Sequence, residues 1–211
     1  TDGAEQAEAA TVLAYLTPVC KAFFTDMATE VSNYGIQVYG GHGYIREWGM
    51  EQLVRDTRIA QLYEGTNGIQ AADLIGRKLT RSNASMMQAT YDVFNRVVAK
   101  ISNTDKQRQA QALLDEWQTL SNDLLGATPE HCAAIACDYL QYVSYSLIGV
   151  LWLSMLDKLP TVDNQSFAAG KIKTGEFYLA YILPRAQQHK HIIMHAAETV
   201  YNTDISDFIT D

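Results

Sequence analysis

The segment Gln37–Gln70, QVYGGHGYIREWGMEQLVRDTRIAQLYEGTNGIQ, decides how the rest of this chain is read. It holds two glycine-punctuated turns, Gly40-Gly41-His42-Gly43 and Glu64-Gly65-Thr66-Asn67-Gly68, inside a sequence that is otherwise helical in pattern. Glycine permits positive φ and close approach of another backbone or a ligand, so two such turns bracketing one acidic residue point to a site. Upstream, Phe23, Met27, Val31, Tyr34 and Val38 recur at three- and four-residue steps. That spacing predicts one apolar helical stripe facing a core until Gly40-Gly41 ends it. Thr17-Pro18 reads as an N-cap followed by proline at the first helical position, which predicts that this helix begins there. Downstream, Met50 to Leu62 predicts a short helix or a pair of turns, with Leu53, Ile59 and Leu62 as packing residues. Thr66 is placed to cap a further helix whose Ile69, Ala72, Ile75 and Leu79 share a face, with Arg77 and Lys78 suiting its C-terminal end.

Past Lys78 the polar, cap-like LTRSNA marks a boundary between two parts, residues 1–80 and 81–211. The second part predicts helices over Ala84 to Ile101, Lys106 to Leu125, Pro129 to Leu156 behind the cap Thr128, Phe167 to Leu183, and Pro184 or Arg185 to Tyr201. Short connections make neighbouring helices antiparallel, so a bundle of four or five is the natural packing. No period-2 alternation long enough for a sheet is present, and the fold class is all-α.

With 211 residues, 47% of them hydrophobic, the chain can bury a sizeable core. Sixteen Lys and Arg against 24 Asp and Glu give a net charge of -8, which argues against nucleic acid and anionic membrane surfaces as partners. Three cysteines, Cys20, Cys132 and Cys137, without a Cys-x-x-Cys pair, fit reduced, mostly buried thiols and a cytoplasmic location. The chain opens on Thr1 without a basic leader or an apolar signal core and reads as a piece of something longer. The uncharged run Tyr139 to Leu156 is interrupted by polar residues and flanked by Asp138 and Asp157, which predicts a buried helix and no membrane span. Tyr139, Tyr142, Tyr145 and Trp152 within it, at helical spacing, read as core or interface rather than as a cofactor box. His191 and His195, four apart, could share a helix face, but without an acidic or thiol third ligand they predict no metal site.

The opening segment strongly resembles the C-terminal helical domain of the acyl-CoA dehydrogenase family, which carries a Gln-x-x-Gly-Gly-x-Gly turn followed by Arg-Asp and Tyr-Glu-Gly-Thr. Here these are Gln37-Val38-Tyr39-Gly40-Gly41-His42-Gly43, Arg55-Asp56 and Tyr63-Glu64-Gly65-Thr66, with order and separations agreeing over more than thirty positions. The resemblance covers Thr17 to Lys78. Asn67 to Lys78 looks like the branch that includes 3-methylmercaptopropionyl-CoA dehydrogenases, whose extra C-terminal helical region residues 81–211 would be.

The resemblance implies α,β-dehydrogenation of an acyl-CoA thioester, with FAD as cofactor. A weakly acidic α proton needs an aimed base and donors to the carbonyl oxygen. Glu64 matches the family's catalytic base, buried beside Tyr63 and the substrate, while Gly65 lets the chain pass close to the ligand. Thr66 matches a flavin-contacting position. Gly68 stands where many relatives have Gln or Glu, so only its backbone can serve there. Gln37, Gly40 and Gly41 match the turn that reaches the flavin of a neighbouring subunit, which implies a homodimer or higher homo-oligomer and, in the reaction cycle, an electron-transfer partner protein. Read without the resemblance, Glu64 is a carboxylate favoured by a helix N-terminus and Gly40-Gly41 an ordinary helix stop. The family's N-terminal and middle domains are not in this sequence, so the chain alone is expected to be inactive. The alternative is a helical dimerisation or docking module without its own catalysis. Arg55-Asp56 and Arg58 read as structural ion pairs.

Overall fold

A computed structural model describes residues 2–209. Among these residues all regular structure is helical. The α-helices are α1 (Asp2–Tyr39), α2 (Gly41–Tyr44), α3 (Met50–Ala60), α4 (Asn67–Asp73), α5 (Ser85–Val98), α6 (Thr104–Asp123), α7 (Pro129–Lys158), α8 (Gln165–Phe177), α9 (Arg185–His195) and α10 (Ala197–Tyr201). Two wider π-helical stretches, Leu74–Thr80 and Tyr178–Ile182, continue α4 and α8.

Helix α7 is the axis of the bundle, with α1, α4, α6, α9 and α10 packed against it. Between Tyr139 and Val150 it buries residues on every side, Tyr139, Tyr142, Val143 and Val150 completely, as a helix that is apolar all round must. It is long and apolar enough to cross a membrane, yet 67% of its most apolar window is buried inside the protein. Thr128 caps its start, accepting from the His131 N–H at 3.2 Å, with Pro129 at the first helical position. Trp117 of α6, Met87 of α5, and Leu74, Ile75 and Leu79 beyond α4 fill the space around it. One core runs from Tyr15 to Ala197 and takes residues from both sides of the Lys78–Ala84 turn.

The same cap signal misleads at Thr17-Pro18. Helix α1 does not start there but runs 38 residues with Pro18 inside it, and the Thr17 hydroxyl bonds backward to the Leu13 carbonyl at 2.7 Å. Tyr15, fully buried against Trp117 and Tyr139, with Pro18 and Val19 also buried, draws the preceding turns into the helix despite the hydrogen bond proline cannot make.

The predicted stripe on α1 faces the core for half its length. Phe23 is buried and Met27 half-buried, whereas Val31, Tyr34 and Val38 are exposed, Val38 by 84%. Leu53, Ile59 and Leu62 are likewise exposed rather than packed. After the second turn the buried face is Ala71, Leu74, Ile75 and Leu79, and the expected members Ile69 and Ala72 point outward. Of the cysteines, all free, only Cys132 is buried; Cys20 and Cys137 lie on exposed faces of α1 and α7, against the expected burial.

Candidate active site

Helices α1 and α3 run antiparallel and fix the two glycine turns relative to each other. A Cβ on Gly35 would fall on the Met50 side chain; Ser32 and Thr57 hydroxyls meet at 3.1 Å; Asp26 accepts from Gln61 Nε2 at 2.7 Å; and Lys21 Nζ donates to the Gly65 carbonyl at 2.7 Å. The partners ascend one helix as they descend the other. The Glu64 turn therefore sits beside Lys21 and the Gly40 turn at the far end of α1, nineteen residues away or about 28 Å at the helical rise.

At the near end, Tyr63, Glu64, Gly65, Thr66 and Gly68 come together by chain continuity. Glu64 and Gly65 both have positive φ, 56° and 84°, a conformation that a residue with a side chain enters only when its surroundings hold it there. The holding groups are visible. Gln70 Nε2 donates to the Glu64 carbonyl at 2.8 Å, the Asn67 N–H reaches back to the Gln61 carbonyl at 3.2 Å, and Lys21 Nζ bridges the Gly65 carbonyl and Asn67 Oδ1. The Glu64 side chain itself is exposed, as are Tyr63 (51%), Gly65, Thr66 and Gly68, so the expected shielding of the carboxylate is not built by the described residues. Thr66 caps α4 with a long contact, 3.5 Å from the Ile69 N–H.

At the far end, Gln37 lies exposed in the last turn of α1, and its carbonyl accepts from the Gly40 N–H at 3.1 Å. Gly40 adopts φ 59°, ψ -142°, a region for glycine, and a Cβ on either Gly40 or Gly41 would meet open space. Gly43 is different. Its φ is ordinary, but a Cβ would lie 2.7 Å from the Ile36 carbonyl oxygen and 2.8 Å from Ile36 Cα, so close packing on α1 demands glycine there. His42 packs edge-on against Trp48. A Cβ on Gly68, as on Gly40 and Gly41, would meet open space, so both turns leave backbone bare for a ligand to approach.

Other features expected from the sequence fall elsewhere. Arg55 pairs with Glu51 rather than Asp56, and Arg58 bonds Gln61. His191 and His195 share a face with ring centres 4.8 Å apart, while His189 pairs with Asp138 at 2.8 Å. Among the described residues no group of three His, Cys, Asp or Glu side chains could hold a metal ion. A cavity of about 540 Å³ opens between α6, α7 and α9, lined by Glu116, His131 and Lys190 among others, and Glu64 has no part in it. What the sequence did not flag is the polar brace of the Glu64 turn, Lys21, Asp26, Gln61 and the amide of Asn67; an asparagine directly after the capping threonine was the available sign.

Known families match over residues 2–204. Residues 2–80 match the family described as acyl-CoA dehydrogenase, C-terminal domain, and residues 77–204 the one described as acetyl-CoA dehydrogenase C-terminal like. The chain is 31% identical over 190 residues to a 3-methylmercaptopropionyl-CoA dehydrogenase of Ruegeria pomeroyi, covering 84% of this chain and 32% of that protein.

The chain belongs to the acyl-CoA dehydrogenase family.

Two further acyl-CoA dehydrogenase relatives are a butyryl-CoA dehydrogenase of Syntrophomonas wolfei and a broad-specificity linear acyl-CoA dehydrogenase, FadE5, of Mycobacterium tuberculosis. The first is 30% identical over 188 residues, covering 79% of this chain and 30% of the relative. The second is 25% identical over 215 residues, covering 92% and 35%. The chain thus spans about a third of the length of the curated relatives it matches, and it aligns with the C-terminal region of the acyl-CoA dehydrogenase family.

Proposed function

We propose that this chain is the C-terminal part of a flavin-dependent acyl-CoA dehydrogenase, in which residues 1–80 complete the catalytic helical domain and residues 81–211 form an additional helical domain. Glu64 takes the α proton of a saturated acyl-CoA thioester onto its carboxylate; the α C–H electron pair forms the α,β double bond as the β carbon gives up its hydrogen with two electrons. The observation that carries this reading is the Glu64 turn. A glutamate in the left-handed region, followed by a second positive-φ residue and braced on both sides, turns an acidic side chain outward just ahead of a helix start. The exposure of Glu64 and Tyr63 fits a base whose cover comes from substrate and from other parts of the protein.

The family's FAD, when bound, supplies the two-electron acceptor for the β hydrogen. Thr66 and the backbone of Gly68 would hold it beside Glu64, while Gln37, Gly40 and Gly41 would hold the flavin of a second subunit. The roughly 28 Å between the two turns supports this division, since one flavin ring system and one α carbon cannot both lie at both ends. Tyr63 and Gly65 line the thioester side. An electron-transfer partner protein and a cytoplasmic location complete the proposal.

The test is Glu64→Gln in the full-length flavoprotein, mixed anaerobically with saturated acyl-CoA thioesters. Loss of flavin bleaching by several orders of magnitude is expected, and bleaching at the normal rate would remove Glu64 from the role of base. A second reading, a helical docking module, is favoured by one observation, the apolar surface of Val31, Tyr34, Val38, Tyr44, Trp48 and Leu53. Light scattering on this chain tests it, with a dimer or higher oligomer as the expected result.

A further inference from the structure

Helix α7 follows the Glu64 turn by some sixty residues, yet it takes part in holding that turn. Gln141 Nε2 on α7 donates to Asp26 Oδ2 at 2.9 Å, and the other oxygen of the same carboxylate accepts from Asn67 Nδ2 at 2.6 Å and Gln61 Nε2 at 2.7 Å. Gln61 and Asn67 are the residues where the chain enters and leaves the turn, and the Asn67 N–H closes its base on the Gln61 carbonyl. One carboxylate therefore grips both ends of the loop that carries Glu64. Asn67 Oδ1 in turn accepts from Lys21 Nζ at 2.8 Å, which ties the grip to the Gly65 carbonyl.

Hydrogen bonds to an ionised carboxylate are short and directional, and left-handed backbone at a residue with a side chain persists only where its surroundings over-determine it. Both conditions meet here.

We propose that Asp26 is a positioning residue for Glu64 and that Gln141 completes it, so that the C-terminal helices set the aim of the base; this rests on the reading of Glu64 as the base. Asp26 acts through the Gln61 and Asn67 side chains and not on the substrate. Loosening it shifts the Glu64 carboxylate relative to the α carbon, and a displacement near 1 Å at a reacting group costs on the order of a hundredfold in rate. Gln141→Leu breaks the tie to α7 alone. Asp26→Asn must turn an N–H₂ group towards donors and breaks one side of the grip. Asp26→Glu restores the charge one methylene further out.

Two measurements test this. In this chain, amide hydrogen exchange over residues 61–68 is expected to speed up at least about tenfold in Asp26→Asn and about threefold in Gln141→Leu, with the peptides around Trp117 unchanged. Unaltered exchange over 61–68 in both variants would overturn the proposal, and Gln141→Leu keeps the test open should Asp26→Asn not fold. In the full-length flavoprotein, the anaerobic rate of flavin reduction by a saturated acyl-CoA is expected to fall about ten- to a hundredfold in Asp26→Asn, with the half-saturating substrate concentration within about threefold and partial recovery in Asp26→Glu. Faster exchange with an unchanged reduction rate, or a change confined to substrate affinity, would refute positioning. Glu64→Gln in the same assay separates the two ideas: if it reduces flavin normally the base assignment fails, while the exchange results still report the grip.

Discussion

Removing the Tyr139 hydroxyl should cost far more than removing the Tyr15 hydroxyl that touches it. The two oxygens are 3.2 Å apart in fully buried surroundings, Tyr139 also lies 2.8 Å from Ser121 Oγ, and Ser121 Oγ donates to the Trp117 carbonyl at 2.7 Å. A carbonyl can only accept, so the Ser121 proton is committed to it. Ser121 then accepts from Tyr139, and Tyr139 accepts from Tyr15. Burial pushes both phenols above their ordinary pKa, which keeps both protons in place. Tyr15→Phe strands no donor and should cost about 1 kcal/mol. Tyr139→Phe leaves the Tyr15 O–H without an acceptor where no water reaches, adding that penalty for a total of about 2–3 kcal/mol. For a chain of this size that is roughly 5–10 °C in Tm. The double variant strands nothing and should cost no more than Tyr139→Phe alone, a coupling of about 1 kcal/mol. Urea denaturation followed by tryptophan fluorescence reads all three. A Tyr15→Phe cost equal to or above that of Tyr139→Phe, or strict additivity, would refute the direction of the relay.

Gly40→Ala and Gly41→Ala should differ in sign though neither meets a neighbour: the first forces a side chain into φ 59° and should cost about 1–3 kcal/mol, the second enters a helix start and should be neutral or slightly stabilising, as read by the exchange of residues 38–45. Asp157 accepts from the Ser102 and Asn103 N–H groups and from Lys158, which hold its carboxyl down to about 2. Its contribution is therefore complete above the ordinary carboxylate value near 4 and fades as pH falls through about 2. Asp157→Asn should accordingly lower Tm at pH 6 and converge on the unaltered protein by pH 2; a gap independent of pH would contradict this.

Local chemistry carried the sequence reading where the decisive partners are local. Thr128-Pro129 reads as a helix start and is one, and Gly40 reads as a helix stop and adopts the conformation only glycine accepts readily. Thr17-Pro18 carries the same two-residue sign and fails, because Tyr15 is claimed by Trp117 and Tyr139 from more than a hundred positions away. Periodicity located a stripe on α1 without revealing that its later members, Val31, Tyr34 and Val38, are exposed. At the candidate site, the motif located Glu64, but the carboxylate of Asp26 that grips its turn is one acidic residue among 24, and no spacing rule singles it out.

The π-helical stretch Leu74–Thr80 makes the junction between α4 and the rest of the bundle tolerant of a one-residue loss. A π turn takes in one residue more than an α turn over the same rise. Deleting Gly76, where an added side chain would meet open space, would therefore let the helix close into regular α geometry with what lies beyond it nearly in place. Leu79 would stay in the core, and the left-handed Asn83-Ala84 corner would aim α5 as before. The same deletion within the regular part of α7 would turn everything beyond it by about 100°, so a single-residue gap is absorbed in the π stretch and transmitted elsewhere.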